Sequence, residues 1–140
     1  MLIIWTYNYE YFSAGPDSLF YIQNLVNDTH WLTELPTLKK EQIQEDRLAL
    51  PILSEEANIL EAIASNDVVI ICGETGSGKT TQLPQFLYEA GYAEHGVIGV
   101  TEPRRIAAIS AAGRVRFELG LEEPLVGHHI RYECKGMVHL

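Results

Sequence analysis

The sequence predicts an α/β fold in which a small parallel sheet is flanked by helices. Three observations carry that expectation. Val68-Val69-Ile70-Ile71-Cys72 is a short continuous apolar run, the pattern of a strand buried on both faces. A glycine-rich stretch and then a helical pattern follow it directly. A second apolar strand, Gly96 to Thr101, comes after that helix. Strand, helix and strand in this order make a β-α-β unit, expected to cross over right-handed.

Composition sets the outer bounds. The chain has 140 residues, 46% hydrophobic and 21% charged, which suits one modest domain or part of a larger one and excludes a fibrous repeat. No run of about eighteen apolar residues is present, so no membrane-spanning helix is expected. Met1 to Trp5 is apolar but lacks the basic flank and length of a signal peptide. Two cysteines, Cys72 and Cys134, make no disulfide framework, and a reduced intracellular protein is expected. A net charge of −9 argues against nucleic-acid binding over the whole surface, yet leaves a local basic groove open.

Residues 1–36 differ from the rest. They contain no Lys or Arg, four acidic residues and eight of the thirteen aromatics, while all ten basic residues lie from Lys39 onward. Trp5 to Tyr11 alternates aromatic and polar side chains, as a half-buried strand would. Gly15-Pro16-Asp17-Ser18 is a turn signal, and Asp17 or Ser18 is placed to cap a short helix through Val26. An aromatic base-stacking platform and simple local packing both fit, and the lack of positive charge favours the second. A third reading is a segment that never folds. Residues 1–36 are left as an unassigned unit, separate from 37–140.

From Lys39 to Leu48 the pattern is a polar helix that ends before Pro51, because the residue ahead of proline avoids helical angles. Ser54 is placed to cap a second helix, with Glu55 and Glu56 in its first turn, where the helix dipole favours carboxylates. Ile59, Leu60 and Ile63 give it an apolar stripe, and Asn66-Asp67 breaks it.

The stretch after the first predicted strand is the most informative. Gly73-Glu74-Thr75-Gly76-Ser77-Gly78-Lys79-Thr80 satisfies G-x-x-x-x-G-K-[ST]. Its glycines let successive backbone N–H groups point inward at a phosphate. Lys79 can reach the β- and γ-phosphates, and the Thr80 hydroxyl can ligate a bridging Mg²⁺. The helix N-terminus that follows favours the anion. A nucleoside triphosphate site is therefore expected.

The helix after this loop carries Leu83, Phe86 and Leu87, stops near Gly91 and holds Pro84, which removes a backbone hydrogen bond. The second strand runs into Thr101-Glu102-Pro103-Arg104-Arg105. From Thr101 to Arg116, arginines 104, 105, 114 and 116 are opposed only by Glu102. Ile106 to Leu119 reads as a helix ended by Gly120. The turn fits a grip on a sugar-phosphate backbone without base readout, or a solvated basic turn paired with a carboxylate.

Taken together, Gly73 to Gln82 (GETGSGKTTQ), Leu83 to Leu87 (LPQFL), Thr101 to Ala107 (TEPRRIA) and Ile130 to Glu133 (IRYE) resemble the DEAH-box RNA helicases, in order and spacing. The resemblance covers roughly residues 38–133. It implies the first part of a RecA-like P-loop domain. It also implies that Gly73, Glu74, Thr75, Gly76, Ser77, Gly78, Lys79, Thr80 and Thr81 hold ATP. Lys79 and Thr80 would serve hydrolysis, with Thr80 on Mg²⁺. Thr101, Arg104 and Arg105 fall on the motif that grips the RNA backbone, and Arg114 on an arginine that stacks on adenine. Leu50 to Ile63, the run to Tyr92 and Glu102 in place of the commoner Gln resemble the nucleolar branch that matures the small ribosomal subunit. That branch implies a nuclear, nucleolar location and ribosome-assembly factors as partners.

Departures from the family are plain. The sequence holds no D-E-x-H element, no Ser-Ala-Thr motif and no second motor domain, and after Glu133 it loses the family pattern. It resembles a truncated product, expected to be marginally stable and to expose sheet edges. Two functions follow as expectations: the ATP-binding part of an RNA helicase, or a non-catalytic fragment that at most binds nucleotide or a partner. A phosphoryl-transfer kinase is a weaker third. His128 and His129, neighbours on one strand, point to opposite faces and complete no zinc set, and Cys72 reads as a small core residue.

Overall fold

A computed structural model describes residues 3–7, 18–23, 37–94, 96–121, 125–131 and 133–135. Strands β1 (Ile3–Tyr7) and β2 (Ser18–Gln23) precede helices α1 (Thr37–Leu48), α2 (Glu56–Ser65) and α3 (Lys79–Glu89). Strand β3 (Val97–Thr101), helix α4 (Arg105–Leu119) and strands β4 (Val126–Ile130) and β5 (Glu133–Lys135) complete the order. The sheet runs β1-β3-β2-β4-β5 and all its pairings are antiparallel.

The α/β character matches the expectation; the parallel sheet does not. Val68–Cys72 is not a strand, and Val68 and Ile70 are 80% and 82% exposed. Cys72 is likewise exposed rather than part of a core. The reason lies in the edges of β3. Each strand has two hydrogen-bonding edges, and those of β3 are taken by β1, with Ile3 opposite Thr101, and by β2, with Leu19 opposite Thr101. No edge of β3 is left for 68–72.

Ser18–Gln23 corrects a second expectation. It is a strand, not a capped helix, and every residue in it is buried. Phe20 and Ile22 join Leu87, Ile98, Val100, Val115 and Val126 in the main core. Leu19 and Tyr21 pack on the other face with Val97. An apolar run with side chains buried to both sides suits a central strand. The Gly15-Pro16-Asp17 turn, the aromatics Tyr9, Tyr11, Phe12 and Trp31, and residues 24–26 lie outside the described residues.

The helices follow the sequence more closely. α4 buries Ala108, Ala111, Ala112 and Val115, at helical spacing, against β2 and β4. Those side chains are small, so the helix can lie close to the sheet. Ser54 caps nothing: Pro51–Glu55 is a short 3₁₀ turn, Ser54 Oγ donates to the Pro51 carbonyl at 2.9 Å, and α2 starts at Glu56 without a side-chain cap. Ile52, Ile59, Leu83 and Phe86 form a second cluster that ties this turn and α2 to α3.

Candidate functional site

The site begins where the chain turns from Cys72 into α3. Gly76 and Gly78 have φ of 85° and 96°, a region that L side chains avoid, which is why glycine stands at both positions. At Gly78 the constraint is double. A Cβ there would meet Leu50 Cδ1 at 3.1 Å and Ile52 Cγ2 at 3.2 Å. The loop is also fastened by Ile52 N–H donating to the Ser77 carbonyl at 3.3 Å.

Gly78 is the N-cap of α3 and supplies no side-chain hydrogen bond; the Thr81 amide donates to the Gly78 carbonyl at 3.2 Å, and those of Lys79 and Thr80 have no side-chain cap. Open amides at a helix N-terminus attract an anion. Lys79 points its ammonium back across the loop, donating to the Gly73 carbonyl at 2.7 Å, the Glu74 carbonyl at 2.6 Å and Ser77 Oγ at 3.1 Å. Glu74 and Thr75 lie exposed along the loop crest, and Thr80 and Thr81 are half-buried at the start of α3. The loop forms one wall of an open cavity of about 600 Å³, with Pro51, Ile52, Ile59, Ala62 and Val69–Ile71 opposite. Positive φ, an uncapped helix start and one ammonium suit a polyphosphate; the Thr80 hydroxyl is the donor suited to Mg²⁺.

The basic turn starts at Thr101, the half-buried last residue of β3. Arg104 is the N-cap of α4 in extended conformation, and Arg105 is its first residue. Both are exposed, and among the described residues neither forms an ion pair. Glu102, within this turn, accepts a hydrogen bond from the Thr80 hydroxyl: burial pushes its carboxyl above the usual value, against a smaller downward pull from that hydroxyl.

Arg114 belongs to a polar network that sequence reasoning missed. Its Nε donates to Glu118 Oε1, one turn along α4. Glu118 Oε2 accepts from Gln82 Nε2 at 2.7 Å and from Gln85 Nε2 at 2.6 Å, both on α3. Gln82 Oε1 accepts from Arg47 Nε at 2.9 Å. Arg47 closes the chain with a two-pronged pair to Glu89, at 3.1 and 3.4 Å. Gln82, Gln85 and Glu118 are buried, as is Arg47, a charge that the sequence places on a polar helix. Burial acts to raise the Glu118 carboxyl, but donors from Gln85, Arg114 and Gln82 and the nearby guanidinium charge hold it below the ordinary carboxylate value. A signal was present: Gln82 and Gln85 stand three apart on α3, and Arg114 and Glu118 four apart on α4, so each pair shares a helix face.

The predicted site residues thus fall into three groups around α3 and α4. Residues 73–81 form the loop, Thr101, Arg104 and Arg105 the turn, and Arg114 joins α3 through Glu118 and Gln82. Among the described residues no cluster of three His, Cys, Asp or Glu gathers as a metal site, and no helix is long and apolar enough to cross a membrane.

No family model matches the chain. Individual relatives do. Over 100 residues, 71% of the chain, it is 57% identical to the probable ATP-dependent RNA helicase DHX37 of Homo sapiens. It is 56% identical over 104 residues, 74% of the chain, to the probable ATP-dependent RNA helicase kurz of Drosophila melanogaster. Over 113 residues, 76% of the chain, it is 50% identical to the probable ATP-dependent RNA helicase DHR1 of Saccharomyces cerevisiae. The chain spans 9% of the length of each of these three relatives. By this identity, which takes in the glycine-rich loop and the basic turn, the chain belongs to the DEAH-box ATP-dependent RNA helicases.

Proposed function

We propose that this chain is part of the ATP-binding motor domain of an RNA helicase, with residues 37–140 lying in that domain. The observation that carries the reading is the loop geometry: positive φ at Gly76 and Gly78 beside an uncapped α3 and the Lys79 ammonium. In this reading backbone amides from Gly73 to Thr81 hold the phosphates of ATP, Lys79 neutralises their charge and Thr80 holds Mg²⁺. The bound ion would supply charge neutralisation between the β- and γ-phosphates. Arg114 contacts the base. Thr101, Arg104 and Arg105 take the RNA backbone, a sequence-independent contact. Hydrolysis coupled to RNA remodelling would belong to the full-length protein, acting in small-subunit ribosomal RNA processing with ribosome-assembly factors in the nucleolus. The RecA-like parallel sheet belongs to this proposal as the arrangement of the complete motor domain.

In the full-length protein, Lys79→Ala should lower RNA-stimulated ATP hydrolysis by at least about a hundredfold, the scale of losing one charge-stabilising donor. Wild-type turnover in that variant would defeat the reading. A second reading is that these 140 residues bind nucleotide without turning it over by themselves. Sustained hydrolysis by this 140-residue chain alone would refute it.

A further inference from the structure

We propose that Glu118 is a positioning residue for the nucleotide, holding the Arg114 guanidinium in register with the helix that starts at the phosphate-binding loop. This rests on the reading of Arg114 and the loop as two ends of one nucleotide site. The Glu118 side chain is 1% exposed, whereas that of Arg114 is 52% exposed. One carboxylate oxygen faces the arginine; the other is filled by two buried amides of α3. Gln82 directly follows Lys79-Thr80-Thr81, and Gln85 Nε2 also donates to the Thr81 carbonyl at 2.8 Å. A shift of α4 along α3 that moved Arg114 relative to the loop would therefore have to break the bonds at Glu118.

Buried carboxylates often add little net stability compared with apolar packing. Plain helix–helix adhesion would not need a charged oxygen turned toward a half-exposed arginine. A carboxylate bonded on one side to the loop helix and on the other to a base-contacting cation does a different job. It transmits the position of the phosphate end to the base end.

The test compares affinities of the full-length protein for ATP and for inorganic tripolyphosphate, which lacks the base, by calorimetry. Arg114→Ala should weaken ATP about tenfold, the scale of one stacked guanidinium, and leave tripolyphosphate within about twofold. Glu118→Gln should give the same selective loss at about three- to tenfold, and the double variant should be no worse than Arg114→Ala. Gln85→Leu removes one of the two α3 amides that fix Glu118 and leaves the Arg114 guanidinium in place, so it carries the same comparison should Glu118→Gln fail to fold. Equal losses for both ligands in Glu118→Gln, or none in a folded protein, would overturn the positioning role alone. An Arg114→Ala protein that binds ATP normally would overturn the base contact and the positioning role with it.

Discussion

Two short apolar runs, Ser18–Gln23 and Val68–Cys72, meet opposite fates in this molecule. The first lies at the centre of the sheet, hydrogen-bonded to β3 on one side and β4 on the other, with every side chain buried. The second forms no strand: Val68 and Ile70 are exposed, and Val69–Ile71 line the open cavity beside the loop. Hydrophobicity alone does not separate them, since Val68–Cys72 is apolar throughout and Ser18–Gln23 ends in polar residues. The difference is the availability of an edge. A strand is stabilised by the ladder and the neighbours it finds, and β3 offers only two edges.

Phe20→Ala should expose that contrast most strongly. Phe20 is 0% exposed in the main core, so truncation should cost about 4 kcal/mol in urea unfolding of the chain. A loss near zero would mean that β2 is not the centre of the fold. Next in size, the Glu118 network should show itself in acid. A carboxyl with a lowered folded value stabilises above its unfolded value of about 4.3, and that stabilisation is lost as pH falls through the folded value. Urea midpoints at pH 7 and pH 3 should therefore converge in Glu118→Gln relative to the parent. An unchanged acid limb would remove Glu118 from the account of stability. The smallest effect belongs to the exposed run: Ile70→Ser should change stability by no more than about 0.5 kcal/mol. A cost near about 2 kcal/mol, the scale of burying a large aliphatic side chain, would place Ile70 in a core and erase the contrast.

The glycine-rich loop was readable because its conformation is set locally. Glycines at 76 and 78, then lysine and threonine at a helix start, constrain backbone and charge within a few residues. Helices α1, α3 and α4 were readable for the same reason, with ends within a residue or two of those expected. The Glu118 network was not. Arg47 and Gln82 are 35 positions apart, and Gln82 and Glu118 are 36, so nothing nearby in sequence marks them as partners.

From its own residues, then, the chain determined a glycine-rich loop with positive φ, a basic turn and the helices that carry them, because glycine conformations and helical spacing act over a turn or two. Tertiary structure decided which apolar run enters the sheet and in which direction the strands pair. It also decided which polar side chains stay buried together. Those outcomes depend on competition for a limited number of strand edges and buried partners, and that competition is settled only when distant segments meet.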